Sequence, residues 1–467
     1  MAKNFLYMFI TLSIRLFSNT IIFFLLAKLW GVEGFGIFMY PYTLTTLLAL
    51  IVDYGFSLKV IKDISEFPNN VSKIINEAVF SKIILTVITF IILIIILLIN
   101  NFSTKEQIFI AVLLLISNIL NSYSTLFNLP FRALEFFKYE TFISLISNIV
   151  YSTLIIILIL LEANQILVSF GIVLSKLFTL IISIYLYKKK IQQTKVEFIF
   201  NIKSILKNLS DNFPYAIHLI VGSLYFQVDT LIVYHFLGNE GVGLYQSAMR
   251  IITGALVLIE VNNGIFFPKL GGSKNSKRTF LNYSVQMNVF SHFIGLGLFT
   301  GLFFMSEKII MFLYGAEFKD VIPILKGLSI LLFIRYAGSA SGLLLTVADK
   351  QKVRAIAAVF SLVSNLLLNY FLIPIYGLYG AVYAGIITAI FLNIIYLINT
   401  YYVLKSFLLD KTIVLISLFW IFMIIINLQF RDNMILNYIM FLFVYMCILC
   451  FVLRHLNLIS FLIKRRD

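Results

Sequence analysis

A chain of 467 residues that is 61% hydrophobic and only 12% charged lies far from soluble domains, which are nearer half apolar and a quarter charged. Runs such as "IILTVITFIILIIILLI" (Ile83 to Ile99) are too long for ordinary core helices and do not alternate as barrel strands do, so soluble enzymes and membrane β-barrels are both excluded. The net charge of +15 raises nucleic acid as a partner, but the charges are placed by membrane topology and argue against it.

The chain opens on an apolar run from about Tyr7 to Lys28. It is long enough to span a bilayer and no small-residue cleavage site follows it, so it reads as a helix and not a cleaved signal. Next comes the polar turn "AKLWGVEGFGIFMY" (Ala27 to Tyr40), and much later "YHFLGNEGVGLYQS" (Tyr234 to Ser247). A shift of 207 positions places Gly31, Glu33, Gly34 and Gly36 on Gly238, Glu240, Gly241 and Gly243. Asp53 falls on Glu260, so an acid recurs at the same place in the following span.

Fourteen spans are predicted, at about 7–28, 36–58, 79–99, 106–128, 140–161, 165–187, 213–237, 243–267, 283–305, 324–347, 354–374, 378–404, 411–430 and 434–454. With the N-terminus inside, inside segments collect 26 of the 36 basic residues and outside segments only 6. Inside segments include Lys59, Lys62, Lys73 and Lys82, the run from Lys188 to Lys207, and the tail Lys464, Arg465 and Arg466. Excess Lys and Arg in short loops marks the cytoplasmic side, so both termini are expected there.

The repeat spacing equals six spans. The expected organisation is an N-lobe at 1–187, a cytoplasmic linker at 188–212, a C-lobe at 213–404, and two further helices with a basic tail at 405–467. Such repeats commonly build transporters whose site lies between the lobes. Both Gly-rich turns are then short external hairpins, where glycine permits a sharp turn and close helix approach.

Three stretches carry a family resemblance: "LWGVEGFGIFMYPYTLTTLLALIVDYGFS", "VDTLIVYHFLGNEGVGLYQSAMRI" and "NLLLNYFLIPIYGLYGAVYAG", the last with Asn365, Asn369, Pro374, Gly377, Gly380 and Ala381. The chain resembles the polysaccharide repeat-unit flippases, the Wzx-type O-antigen and capsule transporters of the multidrug/oligosaccharidyl-lipid/polysaccharide exporter superfamily. The resemblance implies a multi-pass flippase of the bacterial cytoplasmic (inner) membrane. Its cargo would be undecaprenyl-pyrophosphate-linked oligosaccharide, moved by alternating access, with membrane lipids, a polysaccharide polymerase and glycosyltransferases as further partners. It supplies no universal motif, so no site residue is carried over.

Charged residues inside spans are expensive and mark functional positions. Arg15, Lys176, Arg250 and Arg335 are such cations, and they are the candidate substrate-binding residues for a diphosphate or acidic sugar. Asp53, Asp229 and Glu260 are the candidate ion-pair or gating acids. Sequence depth matches Arg15 with Asp53 and Asp229 with Arg250, as structural glue or as one switchable gate per lobe. Lys176 and Arg335 fall near the midplane, one per lobe, where two closing lobes would share a cavity.

His218, His235 and His292 have no metal spacing, and no nucleotide loop or nucleophile–base pair is present. No cofactor, metal or catalytic residue is expected. Cys447 and Cys450 lie in an apolar run and read as small buried hydrophobes. Two alternatives stand beside the flippase. One is a cation-coupled multidrug exporter of the same superfamily, disfavoured because the first span carries Arg15 and no acid. The other is a membrane glycan polymerase or ligase, disfavoured because the outside loops are short.

Overall fold

The computed structural model describes residues 2–99, 104–191, 202–274, 276–406, 408, 411–418 and 420. Side chains are described from residue 18 onward, apart from 202–204, 214, 218, 221, 222, 225 and 226. Secondary structure among the described residues is helical: α1 (Ala2–Asp53), α2 (Phe56–Glu66), α3 (Val71–Ile99), α4 (Lys105–Ala133), α5 (Phe137–Leu160), α6 (Gln165–Lys190), α7 (Ile202–Ser273), α8 (Lys277–Phe304), α9 (Ser306–Leu313), α10 (Val321–Val347), α11 (Gln351–Tyr376) and α12 (Leu378–Leu404), with short 3-10 turns at Pro68–Asn70 and Ala316–Phe318. Ten of the described helical stretches are long and apolar enough to cross a membrane.

Two of those stretches double back on themselves. α1 breaks at Gly31 (φ 68°, ψ −174°) and α7 at Gly238 (φ 66°, ψ −157°). Positive φ is costly for any residue with a Cβ, so glycine sets the turn, and it does so at both members of the repeat. Each of these helices is therefore a hairpin of two arms, and with them the first twelve predicted spans all have helical counterparts. The largest differences are at α7, which begins at Ile202, eleven residues before the expected 213 and within the stretch expected as a linker, and at α3, which begins at Val71, eight residues before the expected 79. The predicted spans at 411–430 and 434–454 lie for the greater part outside the described residues, as do Cys447, Cys450 and the basic tail.

Packing divides the chain into two compact units. One holds residues 1–250 with 313–318; the other holds 251–312 with 319–467. The 207-residue repeat is a property of the sequence and of the turns at Gly31 and Gly238, whereas the compact units part at Arg250. In the first unit, α4 packs extensively on α6 and on α1, but only lightly on α5. Capping fixes where these helices start: Thr104 and Asn164 accept from the backbone N–H of Gln107 and Leu167. Hydroxyls inside the apolar helices bond their own backbone, as Ser169, Thr179 and Ser183 do to carbonyls four residues earlier.

α2 is a short amphipathic helix. It buries Phe56, Val60 and Ile64 and turns out Lys59–Asp63 (3.4 Å) and Lys62–Glu66 (3.8 Å), pairs one turn apart. In the second unit, α8 carries the core residues Val289 and Phe293, against which Ile413, Ile416 and Trp420 pack. α11 and α12 meet at Gly377 (φ 58°), and Gly380 lies so close to the backbone of Leu372 that a Cβ would stand 2.4 Å from its carbonyl.

Candidate functional site

The first unit is closed at one end and clefted along its length. At the closed end the two glycine hairpins cross. A Cβ on Gly36 would lie 1.8 Å from the carbonyl oxygen of Asn239, and one on Gly243 would lie 2.0 Å from that of Val32. Residues 32 and 239, and 36 and 243, are each separated by the repeat interval, so the crossing is pseudo-symmetric. Tyr40 stacks on Tyr234 with ring centroids 3.5 Å apart. Gln107 of α4 donates to Asn239 Oδ1 (2.6 Å), and Trp30 donates from Nε1 to the Ala163 carbonyl (3.0 Å). Small residues let the backbones meet, and aromatic and amide contacts tie them.

The cleft has a volume of about 340 Å³ and lies along α4, α5 and α6. Amides and hydroxyls line it, including Asn121, Asn128, Ser144, Ser147 and Asn148. Arg132 and Glu140 sit at the α4–α5 turn, where the guanidinium pairs with the carboxylate through Nε (3.1 Å) and Nη2. Ser124 of α4 meets Ser183 of α6. That contact sets Lys176, seven residues earlier on α6, about 10 Å further along the cleft. There the ammonium lies over the ring of Tyr151 at 5.7 Å.

Tyr151 is also within electrostatic reach of Tyr42 and Arg250. The Arg250 guanidinium lies 3.8 Å from the centre of the Phe23 ring and 5.2 Å from that of Tyr42, with Nη2 3.7 Å from Met39 Sδ. Stacking on aromatic faces holds the planar guanidinium, a geometry lysine cannot reproduce. Lys176 and Tyr151 thus line the cleft together, and Arg250 lies within electrostatic range of the same tyrosine.

Asp53 and Asp229 each have partners that sequence depth did not name. Asp229 is buried and accepts a hydrogen bond from Tyr245 (3.0 Å), while Thr230 accepts from Gln246. This register about Gly238 carries Arg250 five residues beyond the partner of Asp229, roughly 7 Å along the helix. Asp53 pairs with Lys82 Nζ at 3.1 Å and accepts from the Ser122 hydroxyl. The side chain of Arg15, matched with Asp53 by depth, lies outside the described residues.

Lys82 is a correction to the sequence reading. Counted there with the basic residues of an inside loop, it is 2% exposed within α3 and is bound also to the Ser122 carbonyl (3.3 Å) and hydroxyl. It already lay within the predicted span at 79–99, near its start. In the second unit Glu260 is exposed, and the residue 207 positions after Lys82 is the buried Val289, so the acid recurs but its lysine does not. Arg335 is half-buried on α10, beside Tyr336, whose hydroxyl donates to the Ala255 carbonyl (2.6 Å). Among the described residues, no group of His, Cys, Asp and Glu could hold a metal ion.

Sequence reasoning missed the cleft itself. Its signal is present: Asn121, Ser124, Thr125 and Asn128 recur at helical spacing in α4, as do Ser144, Ser147, Asn148 and Tyr151 in α5.

Helical architecture, apolar spans and an internal polar cleft define a multi-pass membrane protein. Its fold is shared with solved membrane-protein structures. The structure of the lipid II flippase MurJ in an inward closed conformation matches with a TM-score of 0.76 at 20% identity, covering 98% of this chain and 100% of that one. An inward-facing multidrug resistance MATE transporter of the MOP superfamily matches with a TM-score of 0.64 at 15% identity, covering 85% and 98%. A candidate O-antigen transporter of Shigella dysenteriae is 22% identical over 84% of this chain and 97% of its own length. A candidate low-salt glycan biosynthesis flippase of Haloferax volcanii is 28% identical over 39% of this chain, and this match spans 40% of that relative. The chain belongs to the polysaccharide biosynthesis protein family, whose profile matches residues 1–271.

Proposed function

We propose that the protein is a flippase for lipid-linked oligosaccharide, carrying undecaprenyl-pyrophosphate-linked repeat units of O-antigen, capsule or a similar polysaccharide across the cytoplasmic membrane. The observation that supports this reading is the Lys176 end of the cleft, where the ammonium lies over Tyr151 and the Arg250 guanidinium is within electrostatic range of the same residue. Two cations beside aromatic rings suit a diphosphate attached to a sugar: the cations take the phosphate oxygens and the rings pack on the apolar sugar face. Family membership and relatives named for O-antigen transport and glycan flipping support the same cargo. Arg335 is proposed as a further substrate-binding cation.

The reading makes this chain a transporter and not an enzyme. Both termini are cytoplasmic, and glycosyltransferases and a polymerase work upstream and downstream of it. The crossed hairpins at Gly36 and Gly243 seal the external end. Export requires that seal to part, and cargo drives the change by binding the two states with different affinity. Charge placement favours this reading over a cation-coupled drug exporter, because the first predicted span carries Arg15 and no acid and Lys176 lines the cleft. Deletion of the gene in its host tests it. The expected result is loss of surface glycan with accumulation of lipid-linked oligosaccharide on the cytoplasmic face; unchanged surface glycan and no accumulation would overturn it.

A further inference from the structure

The cleft separates its charge from its neutral polarity. Arg132 and Glu140 cancel one another at the α4–α5 turn, and Lys176 stands at the inner end. Between them the α4 and α5 faces present Asn121, Asn128, Ser144, Ser147 and Asn148. Amides and hydroxyls are costly in a membrane-spanning helix unless they bond something. Some here bond their own backbone: Asn148 donates to the Ser144 carbonyl at 2.8 Å. Asn128 and Ser147 do not follow that pattern. Both line the cleft, and Asn128 Oδ1 and Ser147 Oγ are buried just beneath its surface with no hydrogen-bond partner among the described residues.

An apolar cargo would leave these oxygens unpaired, and an anionic sugar would meet the Glu140 carboxylate, whose charge Arg132 already balances. Ligand hydroxyl and amide N–H groups satisfy them. We infer that the α4–α5 face is a recognition rack for an uncharged sugar, with Asn128 and Ser147 as specificity residues for the glycan part of the cargo. The sugar held there is neutral and bears hydroxyl or acetamido groups, while the diphosphate lies at the Lys176 end. This rests on the flippase reading and narrows its substrate class.

Binding by the purified full-length protein in lipid nanodiscs tests the inference with three probes: undecaprenyl diphosphate, N-acetylglucosaminyl-diphospho-undecaprenol and glucuronosyl-diphospho-undecaprenol. The N-acetylglucosaminyl lipid should bind roughly tenfold tighter than the sugar-free lipid, since two hydrogen bonds of ordinary strength separate them. The glucuronosyl lipid should gain no such advantage. Asn128→Ala with Ser147→Ala should remove most of the gap while leaving the sugar-free lipid within about twofold. Asn128→Ser alone, which keeps a hydroxyl, should retain part of it and serves if the double variant misfolds. Equal binding of the neutral and sugar-free lipids, equal binding of the neutral and glucuronosyl lipids, or an equal loss for all probes in the variants would overturn the rack and leave the flippase reading standing. Failure of the wild-type protein to bind any of the diphosphates would overturn the flippase reading itself.

Discussion

Gly36 and Gly243 lie backbone against backbone, the Gly243 amide nitrogen standing 3.0 Å from where a Cβ on Gly36 would be. The two residues are partners in the 207-residue repeat, and the contact explains why the chain writes the same glycine-rich turn twice. Gly31 and Gly238 reverse the chain; five residues later, Gly36 and Gly243 allow the reversed arms to cross.

Gly36→Ala should therefore force the hairpins apart, because the obstacle is backbone and cannot rotate away. Overpacking of this kind destabilises the closed arrangement enough to cut transport roughly tenfold. Closure can be read from disulfide formation between cysteines placed at 40 and 234, which should fall in Gly36→Ala and in Gly243→Ala. Gly254→Ala meets no atom within 4 Å and should leave both cross-linking and transport unchanged.

Asp53 and Lys82 make the second prediction. Lys82 is 2% exposed and Asp53 34%. Asp53→Ala strands a buried ammonium and should cost about 3 kcal/mol of stability. Lys82→Ala should cost less, since Asp53 keeps the Ser122 hydroxyl and some water. Asp53→Ala with Lys82→Ala should be milder than the sum of the two single changes. Thermal unfolding of the purified variants measures the coupling, and strict additivity would mean that the pair does not interact in the membrane.

Arg250 supplies the third. Arg250→Lys keeps the charge and loses the planar stack on Phe23 and Tyr42, so transport should be partial. Arg250→Glu should abolish it. Surface glycan in a deletion strain complemented with each variant, at matched membrane levels, distinguishes the two. Full activity of Arg250→Glu would make the aromatic nest purely structural.

Lys176 and Arg335 are tested in the same way, one in each compact unit. Lys176→Glu and Arg335→Glu should each stop transport while insertion is preserved. Normal glycan in Lys176→Ala and Arg335→Ala together would place the anionic cargo elsewhere.

The spans and both turns were legible in the sequence because their causes are local: a bilayer demands about 20 apolar residues, and a positive φ demands glycine. Lys82 was misjudged because charge bias along the sequence does not measure depth. Depth alone matched Asp229 with Arg250, but the register about Gly238 sets Tyr245 opposite Asp229. The cleft was written as polar residues at helical spacing in α4 and α5, yet it becomes a site only once both stripes turn toward one another. No span-by-span reading supplies that rotation.

Reconstitution tests the flippase claim most directly. Purified protein is incorporated into liposomes carrying a fluorescent prenyl-diphospho-oligosaccharide, and its outer-leaflet fraction is followed with a membrane-impermeant quencher. Wild-type vesicles should expose nearly all of the labelled lipid, whereas protein-free vesicles and vesicles with Lys176→Glu should expose only about half. If wild-type vesicles expose no more than the protein-free ones, the chain does not flip lipid-linked oligosaccharide.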